Sequence, residues 1–156
     1  MMKNTVHYAL LMCLCLILSS FRDFLPLDRV ATPHGTDQIN FIENSWDLAV
    51  KKAKKEHKYI FVDVYAVWCG PCKLLKSTTF KDKKIADFFN QNFVNISIDA
   101  EKGEGIKLAE RWEVEVYPTL LILDSDGVIV AQGQGYVESK ALLDFGQNVL
   151  KHQKKL

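Results

Sequence analysis

Excess charge of one sign is the first thing this chain lacks. Its 20 Lys and Arg residues stand against 19 Asp and Glu, a formal net charge of +1. Such a balance gives no general attraction to a nucleic-acid backbone. Lysines cluster only locally, at Lys51, Lys52, Lys54 and Lys55 and again at Lys151, Lys154 and Lys155. Solvated helix faces and a chain end account for both clusters. Histidine is also scarce, with four in the chain, and His34, His57 and His152 stand far apart. A zinc site on a cysteine pair needs two more ligands, and none of these histidines lies near another in sequence to supply them, which leaves zinc the weaker reading. The apolar run 8–18 is about eleven residues long, and a membrane-crossing helix needs about twenty. The chain has no internal repeat and no low-complexity segment. It has four cysteines, Cys13, Cys15, Cys69 and Cys72.

The N-terminal run has the order of a secretory signal. Lys3 and His7 precede the apolar stretch YALLMCLCLIL, and Ser19 and Ser20 follow it. A basic start, an apolar middle and small residues predict a signal peptide over 1–20. An uncleaved leader acting as a membrane anchor is the alternative. Met12 and Leu14 precede Cys13 and Cys15, where a lipoprotein signal carries small residues. Removal of the leader removes Cys13 and Cys15 and leaves Cys69 and Cys72 as the cysteines of the mature chain. Export implies a compartment that permits disulfides, periplasmic or otherwise extracytoplasmic. A disulfide closing so small a loop constrains the unfolded chain little. Redox chemistry therefore explains the pair better than stapling does.

Residues 21–40 carry Pro26, Pro33 and Gly35 without clear period and read as a linker, leaving 41–156 as one domain. Trp46, Ala49, Val50 and Ala53 recur at helical spacing, with Ser45 or Asn44 as cap. The segments 59–67 and 93–98 read as strands, with Asp99 ending the second. The segments 73–90 and 104–112 read as helices. Residues 120–123 and 128–131 flank Asp124-Ser125-Asp126-Gly127, a hairpin signal. Leu142, Phe145 and Val149 align on a closing helix over 139–150. The order predicts a compact α/β domain.

Trp68-Cys69-Gly70-Pro71-Cys72-Lys73 lies where the strand gives way to the helix. Two cysteines at this spacing close a disulfide or open to a dithiol with little backbone movement. One thiolate attacks a substrate disulfide while its neighbour waits to resolve the mixed disulfide. Cys69 precedes the helix, whose unpaired N–H groups and dipole favour its thiolate. It is the expected nucleophile and is expected to be the more exposed of the two. Cys72 is the expected resolving thiol. Haem attachment needs a histidine after Cys72, and Lys73 stands there.

The stretch 62–73 resembles the active-site segment of the thioredoxin family, and the likeness runs over about 41–150. Tyr117-Pro118-Thr119 is similar to the family's second hallmark, a cis-proline loop facing the dithiol. Gly127 and Gly135 fall where the family carries glycines in and after its last hairpin. Thr79-Phe80-Lys81-Asp82 and the 124–127 turn are similar to extracytoplasmic thioredoxin-like proteins. They also resemble the soluble thioredoxin domain of the transmembrane thiol–disulfide interchange protein.

That resemblance implies a thioredoxin fold, a central mixed β-sheet flanked by helices. It implies an exported protein-disulfide reductase, monomeric and without a metal or other cofactor. Such a protein takes electrons from a membrane thiol–disulfide donor and passes them to disulfide-containing proteins. The family's Asp at the position of Asp63 is buried behind the resolving cysteine, where burial raises its pKa and lets it accept the Cys72 proton. From the residues alone, a strand-edge residue turned to solvent is the alternative reading of Asp63. Thioredoxins carry a Lys near that Asp on the next strand. Asn95 occupies the position here, so the expected counter-charge is missing. The resemblance makes the Tyr117–Pro118 bond cis, which presents the Tyr117 backbone to substrate. Tyr117 stands where an aliphatic residue is more usual. Trp68 resembles the family's exposed tryptophan, which shields the disulfide and contacts partners, and Tyr65 reads as core packing. Gly70-Pro71 goes with reducing behaviour in this family. A redox-gated or redox-inactive binding module using the Trp68–Pro118 groove is the alternative from another class.

Overall fold

A computed structural model of the chain describes residues 37–153. The signal peptide expected over 1–20, Cys13, Cys15 and all but the end of the linker lie outside the described residues. A short β1 (Ile42–Glu43) leads into α1 (Trp46–Glu56), β2 (Tyr59–Tyr65) and α2 (Gly70–Ser77). A 3₁₀ turn (Thr79–Lys81), α3 (Lys83–Asn92), β3 (Phe93–Asp99) and α4 (Glu104–Arg111) follow. The hairpin β4 (Thr119–Leu123) and β5 (Ile129–Gln134) precedes α5 (Ser139–Gln153). The sheet runs β1-β3-β2-β4-β5. β1 and β2 both lie parallel to β3, while β4 lies antiparallel to β2 and to β5. The expected mixed sheet flanked by helices is therefore present.

The period of two along β2 builds two cores. Ile60, Val62 and Val64 pack on one face with Ala49 and Ala53 of α1 and Leu108 of α4. Phe61 packs on the other with Leu75 of α2, Phe89 of α3 and Leu142 of α5. Fully burying one such aliphatic or aromatic side chain is worth about 1.5–3 kcal/mol. Asp63, two residues after Phe61, points toward the α2 and α3 side because strand geometry leaves it no other. Ile39, inside the stretch read as linker, is buried, and its N–H donates to the Phe80 carbonyl.

The helix expected over 73–90 is two helices, and the first begins earlier, at Gly70. Local hydrogen bonding explains the break. The Ser77 and Thr78 hydroxyls both donate to the Leu74 carbonyl, which competes with continued helix. Asp82 then restarts it: its Oδ1 accepts from the Lys84 and Ile85 N–H groups as the cap of α3. β1 was not expected, since two residues show no period. β5 runs to Gln134, three residues past the expected end. At the hairpin, Asp124 Oδ1 accepts from the Asp126 and Val128 N–H groups, and Gly127 takes φ +85°. Glycine adopts that left-handed conformation without steric cost.

Gly105 is required for a different reason. A Cβ there would collide with the Asp99 carbonyl and meet Ile98 Cγ2 at 3.1 Å. It lets α4 start close against the end of β3 and so places the 99–104 segment beside the dithiol loop. No helix among the described residues is long and apolar enough to cross a membrane.

Candidate functional site

Cys69 is the N-cap of α2, with Pro71 in the first turn. Proline is favoured there because its missing N–H has no intrahelical partner to lose. The two cysteines form a disulfide, with S–S 2.08 Å and Cα atoms 5.3 Å apart. Cys69 Sγ accepts a hydrogen bond from the Cys72 N–H at 3.1 Å. A negative sulfur at this place gains both that donor and the positive end of the helix. The expectation that Cys69 is the more exposed thiol does not hold in the disulfide form. Both cysteines are 2% exposed. They pack with Ala66 against Tyr65 and Tyr117, which cover what the sequence left open.

Aromatic side chains line the approach. Trp68 is 65% exposed, and its ring meets Tyr117 edge-on with centroids 5.9 Å apart. Trp68 Nε1 donates to both carboxylate oxygens of Glu101, at 2.9 and 3.1 Å. Glu101 is a site neighbour that sequence reasoning missed. Val67, Leu74 and Val116 add exposed apolar surface. The Tyr117–Pro118 bond is cis, as the resemblance implied.

Asp63 lies in the fold interior, 0% exposed, which removes the solvent-facing reading. Its Oδ2 accepts from the Ser97 hydroxyl at 3.1 Å. That contact follows from the parallel register, which pairs Asp63 with Ser97. Its Oδ1 has no hydrogen-bond partner among the described residues. Burial pushes the Asp63 pKa up to about 6, against the opposing pull of Lys76 and Ser97. Desolvation wins because a carboxylate removed from water loses more than one partner at the edge returns.

The missing counter-charge is a second correction. Asn95 pairs with Phe61 rather than Asp63, and its amide donates to Asn90. Lys76 supplies the charge instead, from α2, with Nζ 3.7 Å from Asp63 Oδ2. That ion pair is too long for a direct hydrogen bond. Nζ donates to Ser97 Oγ at 3.1 Å and lies 3.2 Å from the Tyr65 ring centroid. Lys76 is four residues past Cys72, so both share one helix face. The spacing was visible in the sequence; the partner on a distant strand was not. Among the described residues no group of three His, Cys, Asp or Glu is placed to hold a metal ion.

Residues 46–150 match the thioredoxin-like domain family. The chain belongs to that family. A solution structure of a candidate disulphide-isomerase from Bacteroides thetaiotaomicron is 45% identical. The match covers 70% of this chain and 90% of that one, with a TM-score of 0.63. A Thermus thermophilus thioredoxin at 19% identity, covering 72% of this chain and 88% of that one, shares the fold with a TM-score of 0.65. Thiol:disulfide interchange protein DsbD of Yersinia pestis is 28% identical over 120 residues, covering 74% of this chain and 20% of that protein. A protein disulfide-isomerase of Medicago sativa is 26% identical over 145 residues, covering 93% of this chain and 27% of that protein. The chain thus spans about a fifth to a quarter of the length of these curated relatives. It is a thiol–disulfide oxidoreductase-like thioredoxin domain carrying the Cys69–Cys72 disulfide. Within the thioredoxin-like family frame, Lys76 stands in for the lysine expected on the third strand.

Proposed function

We propose that this protein is an exported protein-disulfide reductase that works through Cys69 and Cys72. The observation that carries the reading is the cysteine pair itself. It sits at the positive end of α2, on the side of the sheet where a buried carboxylate has one oxygen without a hydrogen-bond partner among the described residues. In the reduced protein the Cys69 thiolate attacks one sulfur of a substrate disulfide. A bond forms between Cys69 and that sulfur, and the other substrate sulfur leaves as a thiolate. Cys72 gives its proton to Asp63 and attacks Cys69 Sγ. The Cys69–Cys72 disulfide forms, the mixed disulfide breaks, and the second substrate thiolate leaves. Two electrons have then passed to the substrate. A membrane thiol–disulfide donor restores the dithiol, and no metal or organic cofactor takes part.

Trp68, Gly70, Pro71, Tyr117 and Pro118 form the substrate-binding surface in this reading. Exposed Trp68, Val67 and Val116 support it, because an extended apolar segment can pack there. The reducing direction rests on Gly70-Pro71 and the family resemblance. In an insulin-reduction assay with a dithiol donor, catalytic precipitation of the insulin B chain is expected. Silence together with tight capture of a partner would favour the binding module. Extracytoplasmic localisation rests on the order of residues 1–20. The intact mass of protein recovered from the extracytoplasmic fraction should correspond to a start near residue 20. Recovery of the whole chain from Met1 in the cytoplasm defeats the export claim.

A further inference from the structure

Lys76 does more than neutralise a neighbour. Its ammonium acts electrostatically on two carboxylates from different strands. Asp63 of β2 is 3.7 Å away. Glu43 of β1 lines the same cleft of about 300 Å³, together with Gln38, Asn40 and Lys76. The Lys76 side chain is partly exposed, so its position depends on these contacts rather than on core packing. It reaches Asp63 in two ways, by charge and by donating to the Ser97 hydroxyl, which in turn donates to Asp63 Oδ2. That second contact orients Ser97, leaving its single hydroxyl hydrogen for the carboxylate. Oδ1 stays open.

We propose that Lys76 is a positioning residue for the resolving step: it holds the Asp63 carboxylate ionised, directly and through Ser97, and so sets the pH above which Asp63 takes the Cys72 proton. This rests on the reading of Asp63 as proton acceptor. The charged and polar groups that act on Asp63 are Lys76 from α2, Ser97 from β3 and Glu43 from β1, with Tyr65 two residues along its own strand. Of these Lys76 carries the only positive charge. Burial raises the Asp63 pKa most, Lys76 is the largest opposing influence, and Glu43 works against Lys76. Without the ammonium, burial and Glu43 both favour the protonated acid, and the Ser97 hydroxyl is the remaining partner that favours the anion. A protonated Asp63 has no room for a second proton, so Cys72 must give its proton to solvent.

The test uses the full mature chain with Lys76→Met and Lys76→Arg. Carbon NMR of the Asp63 carboxyl in the oxidised protein reads the first half without any turnover. Its titration midpoint should rise by about one pH unit or more in Lys76→Met and stay near the parent value in Lys76→Arg. Stopped-flow decay of a preformed mixed disulfide, followed against pH, reads the second half. The acid limb for Lys76→Met should move up with the midpoint. At any pH below the limb, decay should slow about tenfold for each pH unit that the midpoint rises. The alkaline plateau and the rate of first attack should not change. An unmoved midpoint overturns the inference. A midpoint that moves while the decay profile stays fixed overturns it too, and Asp63→Asn then shows where the fault lies. If Asp63→Asn slows decay, the proton-acceptor reading stands and only the role of Lys76 falls. If Asp63→Asn also decays as the parent does, the reading of Asp63 itself has failed.

Discussion

Cys72→Ser protein, reduced and mixed with oxidised substrate, should accumulate mixed disulfides on Cys69, whereas Cys69→Ser should capture nothing. The asymmetry comes from the start of α2. Cys69 is the cap, its sulfur accepts the Cys72 N–H at 3.1 Å, and the helix presents its positive end there. A thiolate at that place is stabilised as an attacking group. Cys72 lies one turn in, its own N–H already committed to Cys69. Its use is intramolecular attack, and well-oriented intramolecular reactions reach effective molarities on the order of 10⁵ M. Replacing it leaves release to millimolar external thiol, so the mixed disulfide should persist more than about a thousandfold longer. Alkylation of the reduced parent should label Cys69 before Cys72. Both residues are 2% exposed in the disulfide form, so exposure in that form does not order them. The order rests on the helix terminus, and mass mapping after brief alkylation reads it. First labelling at Cys72, or substrate capture by Cys69→Ser, would overturn the assignment of the nucleophile.

Asp63→Asn should have two separate effects, slower chemistry and a different pH dependence of stability. An amide cannot take the Cys72 proton, so resolution at neutral pH should slow about a hundredfold, the lower end for general acid–base catalysis. The first attack by Cys69 should keep its rate. Equal decay rates in mutant and parent would mean that water takes the proton.

The stability effect follows from burial. The folded-state pKa of Asp63 is raised from 3.8 to about 6. Between those values the folded protein binds more protons than the unfolded chain, so stability falls as pH rises through the window. It is highest below about pH 4 and levels off above about pH 6 as far as this group is concerned. A rise of about two pH units corresponds to roughly 3 kcal/mol of stability lost across the window. Denaturant titrations of the oxidised protein from pH 4 to 8 should show that decline in the parent and a flatter profile in Asp63→Asn. The slope is the cleaner readout, since a buried amide hydrogen left unpaired costs about 1–3 kcal/mol by itself. A parent profile with no decline between pH 4 and 6 would show that Asp63 does not titrate in that range.

Much of the site was legible because its parts are local. Cys69 and Cys72 at a strand-to-helix junction need only a strand pattern before them and a helix after. Val62 and Val64 on one face and Phe61 and Asp63 on the other follow from the period of two, so the side Asp63 faces was implicit. The resemblance supplied the mixed sheet and the cis bond at Pro118, which composition and spacing do not contain. The break at Thr78 and the cap at Asp82 were local too, though hydroxyl competition with the helix is weak to read beside strong apolar spacing.

Three features were decided by tertiary structure. Ser97 reaches Asp63 because β2 and β3 pair in one particular parallel register, and a shift of one residue would turn Ser97 to the other face. Lys76 reaches both because α2 crosses the sheet over that pair, which helix spacing alone could not locate. Glu101 holds Trp68 because Gly105 lets α4 close against the end of β3, bringing the 99–104 segment beside the dithiol loop. Sequence determined the spacing of the two cysteines, their place before a helix and the face of the sheet that Asp63 takes. Tertiary structure decided which charges surround the buried carboxylate and what covers the sulfurs. Periodicity along one strand or helix is written in neighbouring residues, whereas contacts between elements depend on register and packing across the whole sheet.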